Sequence, residues 1–255
     1  MTSSDIWLTV VVPAYNEASR IDAGLKRILE YLNAFSHPQV CARTSELIVV
    51  VDGGSDDTLR RAEAATPGRV SMRVIHNHVN YGKGFSVRQG MLAAQGRYVL
   101  FSDADLSTPI EEVERLIAAL EAGADVAIGS RSIPGADVRV RQPLWRESMG
   151  RVFNWFVQRL ALPGIIDSQC GFKCFRGEVA GRIFERQRLN GFAFDVEVLL
   201  IARLLGYRIV EVPVVWIDDS KSSVHPIYDS AHMLLDLVRI RWRHHQGRYK
   251  DPRDG

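Results

Sequence analysis

Five short runs of apolar, mostly β-branched residues constrain the fold of this chain more than any other feature of its sequence. The runs occupy residues 7–12, 46–52, 70–76, 97–103 and 124–130. Segments with helical spacing separate them, at about 18–35, 56–66, 83–96 and 109–122. Runs that are apolar at consecutive positions are typical of strands buried on both faces of a sheet. The alternation therefore predicts an α/β fold with a Rossmann-like, mostly parallel sheet flanked by helices.

The last of these helical segments carries the clearest start signal. Thr108 suits the N-cap, Pro109 suits the first helical position, and Glu111 is placed to close a capping box. After Arg131 the pattern changes to a basic, loop-like segment. It is followed by a helix at about 145–161, a strand at 170–175, a helix at 193–206 and a strand at 208–216. No clear linker interrupts the chain, so we expect one domain with a distinct C-terminal portion.

Charge and cysteine content narrow the class of protein. A formal net charge of +2 over 255 residues is too small for a general nucleic-acid binder. Cys41, Cys170 and Cys174 cannot all pair, so we expect reduced, buried thiols in a cytoplasmic protein. No apolar run reaches the roughly 18 residues that would indicate a transmembrane helix.

Four of the predicted strands end in polar or special residues instead of further core residues. These endings are PAYNE at 13–17, DGGSDDT at 52–58, DADLS at 103–107 and GSR at 129–131. In an open α/β sheet, ligands bind at the carboxyl ends of the strands. Because the fold brings those ends to one edge, the four endings together predict a binding site there.

The acidic turn DADLS predicts a metal site. Asp103 and Asp105 are one residue apart, and two carboxylates so close repel each other unless a cation lies between them. Mg²⁺ or Mn²⁺ takes one or two carboxylate oxygens and keeps positions for substrate phosphates. The pair therefore favours a metal–diphosphate complex over a solvated acidic turn or a helix cap at Asp105.

Two further positions have a functional and a structural interpretation each. Asp52, at a strand tip, is placed to accept hydrogen bonds from a base or a ribose, but Gly53 and Gly54 alone would justify a tight turn there. Lys83, in the segment NYGKGF, is placed either to approach a diphosphate or simply to begin a helix. The segment matches neither common phosphate-loop pattern, which disfavours an ATPase or a dinucleotide-binding protein.

A series of motifs now identifies a family. In chain order they are VVPAYNE, VVDGGSDDT, GKG, DADLS, GSR, DSQCGFKCF, GFAFDVEVL and EVPVVW. Together they resemble the family 2 inverting glycosyltransferases of GT-A fold. The closest resemblance is to the dolichyl-phosphate β-glucosyltransferases and the polyprenyl-phosphate sugar synthases. VPAYNE and D-x-D are typical of the whole superfamily, whereas DSQCGFK, FAFDVE and VPVVW indicate the branch that glycosylates phosphate lipids.

The resemblance implies a role for each matching residue. The nucleotide-sugar would be bound by Pro13, Ala14, Tyr15, Glu17, Asp52, Lys83, Asp103 and Ala104. Asp105, together with Asp103, would hold Mg²⁺ or Mn²⁺ at the UDP phosphates. The acceptor phosphate would be bound by Arg131, Arg139, Arg141 and Arg146. The residues implied in the chemical step are Asp103, Asp105, Arg131, Asp167 and Asp195, and the relative weight of Asp167 and Asp195 stays open.

The implied reaction moves a sugar, with glucose favoured, from a UDP-sugar to a polyprenyl or dolichyl phosphate. Inversion would give a β-linked glycosyl phosphate lipid. Three alternatives remain. A family 2 transferase with a soluble hydroxyl acceptor would need a base, for which Asp195 is the candidate. A nucleotidyltransferase would carry a glycine-rich basic loop where this chain has PAYNE, and a silent nucleotide-sugar-binding protein would not turn its ligand over.

The C-terminal segment 226–250 predicts a basic amphipathic helix. Its apolar residues at helical spacing are Ile227, Ala231, Leu234, Leu235, Val238 and Trp242, and its basic end contains Arg239, Arg241, Arg243, His244 and His245. Such a helix either lies in the headgroup plane of an anionic membrane or packs on its own domain or on a second subunit.

We therefore expect a GT-A domain at 1–222, with a nucleotide-sugar half at about 1–130 and an acceptor half at about 131–222. The basic helix and tail would occupy 223–255. The expected protein is cytoplasmic and peripheral on the cytoplasmic face of a membrane, monomeric or homo-oligomeric, and without a nucleic-acid partner.

Overall fold

The computed structural model describes residues 6–34, 44–140, 144–217 and 226–249. The strands are β1 (Ile6–Ala14), β2 (Thr44–Asp52), β3 (Ser71–Asn77), β4 (Tyr98–Ser102), β5 (Val126–Ser130), β6 (Asp137–Val140), β7 (Phe172–Arg176), β8 (Ile209–Pro213) and β9 (Val215–Ile217). The helices are α1 (Ile21–Ala34), α2 (Thr58–Glu63), α3 (Lys83–Ala93), α4 (Val113–Glu121), α5 (Leu144–Leu160), α6 (Gly177–Arg186), α7 (Phe194–Leu204) and α8 (Pro226–His245). A 3₁₀ turn, Ile110–Glu112, precedes α4.

Seven strands form one sheet in the order β3-β2-β1-β4-β7-β5-β8. All neighbouring pairs are parallel except those of β7, which runs antiparallel to both β4 and β5. The predicted mostly parallel α/β sheet is confirmed. Because β7 runs in the opposite direction, the residues that precede it lie at the edge where the parallel strands end.

Helices cover both faces of this sheet. Val10 and Val12 of β1 pack into a core on one face with residues of α1 and α4, whereas Val11 packs into a core on the other face with residues of α3, α6 and α7. A strand with cores on both sides needs apolar side chains at odd and even positions alike. This double burial explains why the strands appear in the sequence as continuous apolar runs.

The predicted capping box before α4 is wrong. Pro109 has an extended ψ of 141°, no side chain caps the turn, and the helix begins through the 3₁₀ turn. Glu111 instead accepts a hydrogen bond from Arg27 of α1 at 3.0 Å. The Thr108 hydroxyl is buried and lies 3.9 Å from the Cys170 sulfur. Both side chains that would have formed the capping box therefore contact other parts of the fold instead.

The predicted strand at 208–216 is divided in the structure. β8 belongs to the large sheet, but β9 leaves it and pairs with β6 in a separate two-stranded sheet. β6 lies in the segment that the sequence indicated to be a loop. The four residues of β6 are too few to produce a clear alternating pattern, and their pairing partner is far away in sequence.

The expectation of buried thiols is confirmed for Cys170 and Cys174, which are both buried and unpaired. Burial raises the pKa of Cys170 to about 11. Cys41 lies outside the described residues. In the part of the chain that the structure describes, no helix has the length and apolar character needed to cross a bilayer.

The predicted C-terminal helix is present as α8. Leu237, Ile240 and, beyond the helix, Tyr249 are buried in the same core as α5 and α7. The Tyr249 hydroxyl donates a hydrogen bond of 2.6 Å to the buried carboxylate of Glu197. One face of α8 is thus packed on its own domain.

Candidate active site

The four polar strand endings meet at one edge of the sheet, as the sequence predicted. β1, β2, β4 and β5 run in the same direction, so their carboxyl ends lie side by side. The antiparallel β7 adds the residues just before its start, 167–171, to this edge. We call the endings of β1, β2 and β4 the β1–β4 part, and the residues contributed by β5, β7 and the start of α7 the β5–β7 part.

In the β1–β4 part, the turns after β1 and β2 are tied together. Asn16, in the left-handed region at φ 53°, accepts a hydrogen bond from the Ser55 amide at 3.0 Å. A Cβ on Gly54 would lie 2.6 Å from that Asn16 oxygen, which explains the glycine. Tyr15 is exposed at this edge, whereas the Glu17 carboxylate is held by Arg20 at 2.8 Å. The roles of Tyr15 and Glu17 toward a nucleotide stay predictions.

Asp52 lies at the tip of β2 and is buried. Its carboxylate accepts hydrogen bonds from Asn77 Nδ2 at 3.0 Å, Tyr81 N at 3.2 Å and Gly82 N at 2.7 Å. The carboxylate therefore fixes the segment that leads into α3 and Lys83. Sequence reasoning missed this role, and a contact of Asp52 with a base or ribose stays a prediction.

Lys83 begins α3 and reaches Asp103 at the end of β4, with 2.7 Å between Nζ and Oδ1. Burial acts to lower the pKa of Lys83, but Asp103 and Asp195 outweigh it, so the pKa is raised and the ammonium group stays charged. Gly171 allows Asp103 to approach the strand beside it, because a Cβ there would lie 2.1 Å from Asp103 Oδ2. The requirement for Gly171 was not recognised from the sequence, in which the glycine of the motif QCGF was the available signal.

Asp105 differs from the other carboxylates of the edge. One of its oxygens accepts a hydrogen bond from the Ser107 amide at 2.9 Å, across a turn in which Leu106 has a φ of 50°. Burial, followed by the like charge of Asp103, raises the pKa of Asp105. Hydrogen bonding and the more distant cations do not fully offset this repulsion.

The acidic pair fits a divalent cation that arrives with a ligand. Among the described residues, no group of three or more His, Cys, Asp or Glu side chains is placed to hold a metal ion. Asp103 and Asp105 provide the carboxylate oxygens that Mg²⁺ and Mn²⁺ prefer, and such ions commonly complete their coordination with phosphate oxygens and water. The donor set thus suits a metal–diphosphate complex and does not suit a closed structural metal site.

In the β5–β7 part, Arg131 is held by Asp167. The Arg131 amide, Nε and Nη2 all donate to the Asp167 carboxylate, at 2.9, 2.8 and 2.8 Å. The guanidinium lies 5.3 Å from the centre of the Trp216 ring. Burial acts to lower the pKa of Arg131 and Asp167 outweighs it, so the pKa of Arg131 is raised, and the pKa of Asp167 is lowered in return. Both groups are charged and fixed.

A second ion pair is fully buried between β7 and α7. Lys173 Nζ lies 2.5 Å from Asp195 Oδ1 and also donates to the Cys170 carbonyl at 2.6 Å. Burial raises the pKa of Asp195, although Lys173 and Lys83 act to lower it. Sequence reasoning missed Lys173. A lysine inside the otherwise apolar strand GFKCF was the available signal, since a buried lysine needs a partner.

The remaining predicted residues are placed as follows. Pro13, Ala14 and Ala104 are buried, and they belong to the chain segments that form the edge. Arg139 is exposed on β6 and forms an ion pair with Asp137 at 2.9 Å. Arg141 and the side chain of Arg146 lie outside the described residues. The structure therefore brings together Lys83, Asp103, Asp105, Arg131, Asp167 and Asp195, while Arg139 occupies the small sheet.

Comparisons with known proteins agree with this architecture. The sequence pattern described as Glycosyl transferase family 2 matches residues 9–183. The chain is 35% identical over 253 residues to a dolichyl-phosphate beta-glucosyltransferase of Dictyostelium discoideum, which covers 96% of this chain and 77% of that protein. It is also 35% identical over 251 residues to the enzyme of that name from Mus musculus, covering 95% and 77%.

Among solved structures, a glucosyl-3-phosphoglycerate synthase from Mycobacterium tuberculosis in complex with Mn²⁺ and UDP-glucose superposes with a TM-score of 0.67. The identity is 20%, and the match covers 93% of this chain and 79% of that one. This likeness shows that the two proteins share the GT-A fold.

Proposed function

Because the chain belongs to glycosyl transferase family 2 and is a glycosyltransferase, we propose that it transfers glucose from UDP-glucose to the phosphate of a dolichyl or other polyprenyl phosphate. The product is a β-linked glucosyl phosphate lipid, formed with inversion and with the help of a divalent cation. The proposal takes its acceptor and sugar from the names of the relatives that are similar over almost the whole chain.

The observation that carries the proposal is a fixed cation at the same edge as the acidic pair. The loop before β7 connects the two groups: Asp103 lies so close to Gly171 that a Cβ there would touch its carboxylate, and Asp167, four residues earlier in the same loop, holds Arg131. One edge of the Arg131 guanidinium is occupied by Asp167, and Nη1 lies on the other side. Arginine's planar donor group suits phosphate. A site with donor carboxylates and a fixed arginine suits a reaction between a diphosphate donor and a phosphate acceptor.

On the donor side, Asp105 and Asp103 are the residues that would hold the cation. When bound, a divalent cation neutralises charge on the departing diphosphate. Lys83, charged and 2.7 Å from Asp103, adds a second positive group next to that position. We place the uridine at the turns after β1 and β2, where Tyr15 is exposed.

On the acceptor side, a phosphate oxygen of the lipid attacks the anomeric carbon of glucose. The new carbon–oxygen bond forms as the bond from that carbon to the β-phosphate oxygen of UDP breaks, and UDP leaves with the electron pair. The acceptor is already ionised at neutral pH, so no proton has to be removed. The contribution of the chain is to orient the acceptor phosphate through Arg131 and to stabilise the leaving group.

The burial and ion pairing of Asp195 support a phosphate acceptor over a hydroxyl acceptor. A hydroxyl must lose a proton, and Asp195 was the candidate base. In the structure its carboxylate is buried and paired with Lys173 at 2.5 Å. A base must reach the proton that it removes, and this carboxylate already serves a buried ion pair.

A transfer assay tests the proposal. Purified protein is incubated with each of a panel of labelled UDP- and GDP-sugars, with polyprenyl phosphate or a soluble oligosaccharide as acceptor, and with or without EDTA. We expect label in the lipid from UDP-glucose and only in the absence of EDTA. Transfer to a soluble oligosaccharide, with none to the lipid, would overturn the acceptor. Transfer from another nucleotide-sugar would keep the reaction and replace glucose.

A further inference from the structure

Helix α8 has a second apolar face in addition to the one that packs on the domain. Leu235, Val238 and Trp242 recur at positions i, i+3 and i+7, and each is more than half exposed. Leu237 and Ile240, on the other side of the helix, are fully buried. Of the apolar residues that the sequence predicted to form a stripe, those whose side chains the structure describes, Leu234, Leu235, Val238 and Trp242, are exposed.

Helix α5 lies against α8 and shows the same arrangement. Its Phe153 and Val157 are buried, whereas Val152 and Trp155 are more than half exposed. The two helices are linked where Arg241 of α8 donates to the Leu160 carbonyl at the end of α5, at 3.4 Å. We call the outward surface formed by Val152, Trp155, Leu235, Val238 and Trp242 the α5–α8 surface.

This surface is bordered by positive charge. Arg239 and Arg241 flank the apolar residues of α8 on both sides, and exposed Arg159 follows Trp155 by four residues on α5. Within the described side chains 148–160 and 232–249, the only acidic residue is Asp236. Asp236 is buried and pairs with Arg239 at 2.8 Å. Apolar and aromatic side chains edged by arginines are typical of helices that lie in the headgroup region of anionic membranes.

The α5–α8 surface is close to the acceptor part of the candidate site. Asn154, beside Trp155 on α5, donates to the Ile166 carbonyl at 2.8 Å. Ile166 directly precedes Asp167, the carboxylate that holds Arg131. Glu211 fixes this connection, because it accepts hydrogen bonds from the amides of Ile166 and Asp167 at 2.8 and 2.9 Å. A membrane at this surface would bring its headgroups near the Arg131 side of the site.

We propose that the α5–α8 surface docks the protein on an anionic lipid bilayer and presents the Arg131 side of the site to the lipid. The docking itself stands on the apolar and basic surface, whereas the delivery of a lipid acceptor rests on the proposed function. A second copy of the chain is a poorer occupant. A two-fold contact through this surface would place two arginine-bordered surfaces of the same sign face to face, and like charges across an interface oppose association.

Vesicle co-sedimentation tests the docking. The full chain is mixed with vesicles of phosphatidylcholine alone, or of equimolar phosphatidylcholine and phosphatidylserine. We expect binding to the anionic vesicles that weakens with salt. Val238→Glu and Trp155→Glu each place a carboxylate on the surface, and each should weaken binding by about tenfold. Leu92→Glu, which alters a leucine of α3 that is 41% exposed, is the matched control and should bind like the wild type.

The outcomes separate the docking from its alternatives. Wild-type binding by both surface variants would overturn the proposal, as would a wild-type chain that does not bind anionic vesicles. A wild-type dimer that Val238→Glu dissociates, without any vesicle binding, would instead make the surface a subunit interface. Thermal unfolding of each variant checks that the packed face of its helix is undisturbed.

An activity assay then separates the docking from the proposed function. Val238→Glu should transfer sugar at the wild-type rate to a short, water-soluble prenyl phosphate, but more slowly to a long-chain polyprenyl phosphate in anionic vesicles. Equal loss with both acceptors would contradict a docking role. Vesicle binding without transfer to either acceptor would support the surface and overturn the proposed function.

Discussion

In the β1–β4 part of the edge, Asp105 faces the like charge of Asp103, and burial and this repulsion raise its pKa. In the β5–β7 part, Asp167 and Asp195 each lie within 2.8 Å of a cation of their own, Arg131 and Lys173. In the first arrangement Lys83 pairs with Asp103 but does not fully offset the repulsion at Asp105, and a bound cation would relieve what remains. In the second arrangement each carboxylate is paired with a cation that holds it in place, although burial still raises the pKa of Asp195. We therefore expect aspartates of the β1–β4 part to bind a cation and those of the β5–β7 part to stabilise the structure of the edge.

The largest expected effect is a loss of stability when the buried ion pair of the β5–β7 part is broken. Lys173→Met leaves Asp195 buried without its closest cation, so the free energy of unfolding should fall by about 3–5 kcal/mol. Denaturant unfolding measures this loss. The double variant Lys173→Met/Asp195→Leu removes both charges and should recover much of it. A single variant as stable as the wild type would show that the pair does not hold β7 and α7 together.

The next largest effect concerns the unbalanced part. We expect Asp105→Asn to lower the rate of sugar transfer by about 10²–10³-fold, because it removes a carboxylate that would hold the cation. The free energy of unfolding should be unchanged or higher, since the variant also removes a buried, repelled charge. Transfer is measured under saturating Mn²⁺ and unfolding by denaturant. Loss of stability together with activity would place Asp105 with the structural carboxylates instead.

A smaller effect is expected on the affinity for Mn²⁺ when the pH is lowered. Because the pKa of Asp105 is raised, the carboxylate takes up its proton at a pH where an ordinary aspartate is still ionised. Mn²⁺ needs the ionised form, so its affinity should begin to fall at that higher pH as the solution is acidified. The folded chain binds this proton more tightly than the unfolded chain, so the Asp105 contribution to stability falls as pH rises through the same window. Calorimetric Mn²⁺ titrations on the wild type and on Asp105→Asn, run with UDP, should show the pH shift only in the former.

The smallest expected effect is that of replacing Arg139, which was assigned from the sequence to the acceptor phosphate together with Arg131. Arg139 is exposed and paired with exposed Asp137, so Arg139→Ala should change stability by no more than about 0.5 kcal/mol and the KM for the acceptor by no more than about twofold. Arg131→Ala should raise the KM for the acceptor much more than the KM for UDP-glucose. Acceptor titrations with both variants measure this. Equal changes would mean that the small sheet also contacts the acceptor.

Features that depend on neighbouring residues in the chain were predictable. The apolar runs, the strand endings and the D-x-D turn are local patterns, and the structure places them at one edge as expected. The parallel direction of most strands followed from the alternation of strands and helices. The amphipathic character of α8 was also visible, because it needs only the helical repeat.

Features that depend on distant partners were not predictable from one sequence. The pairing of Lys173 with Asp195 joins a strand to a helix 22 positions away, and nothing local marks it except a lysine among apolar residues. The direction of β7 and the small β6–β9 sheet depend on long-range pairing as well. Thr108 and Glu111 formed a strong local signal that was overruled, because their side chains found partners on other elements.

The position of β7 also has a consequence for the order in which the protein assembles. β4 and β5 are not neighbours in the sheet; β7, made later in the chain, lies between them and joins them. During synthesis, the strands up to β5 therefore form with two open edges, which are exposed sites for pairing with other chains. The contacts that close the sheet are separated by about 75 residues along the chain, as Leu100 pairs with Cys174. Contacts so distant in sequence form slowly. Insertion of β7 is therefore the step that joins β4 to β5 and also carries Asp167, Gly171 and Lys173 to the edge, before β8 adds to the other side of β5.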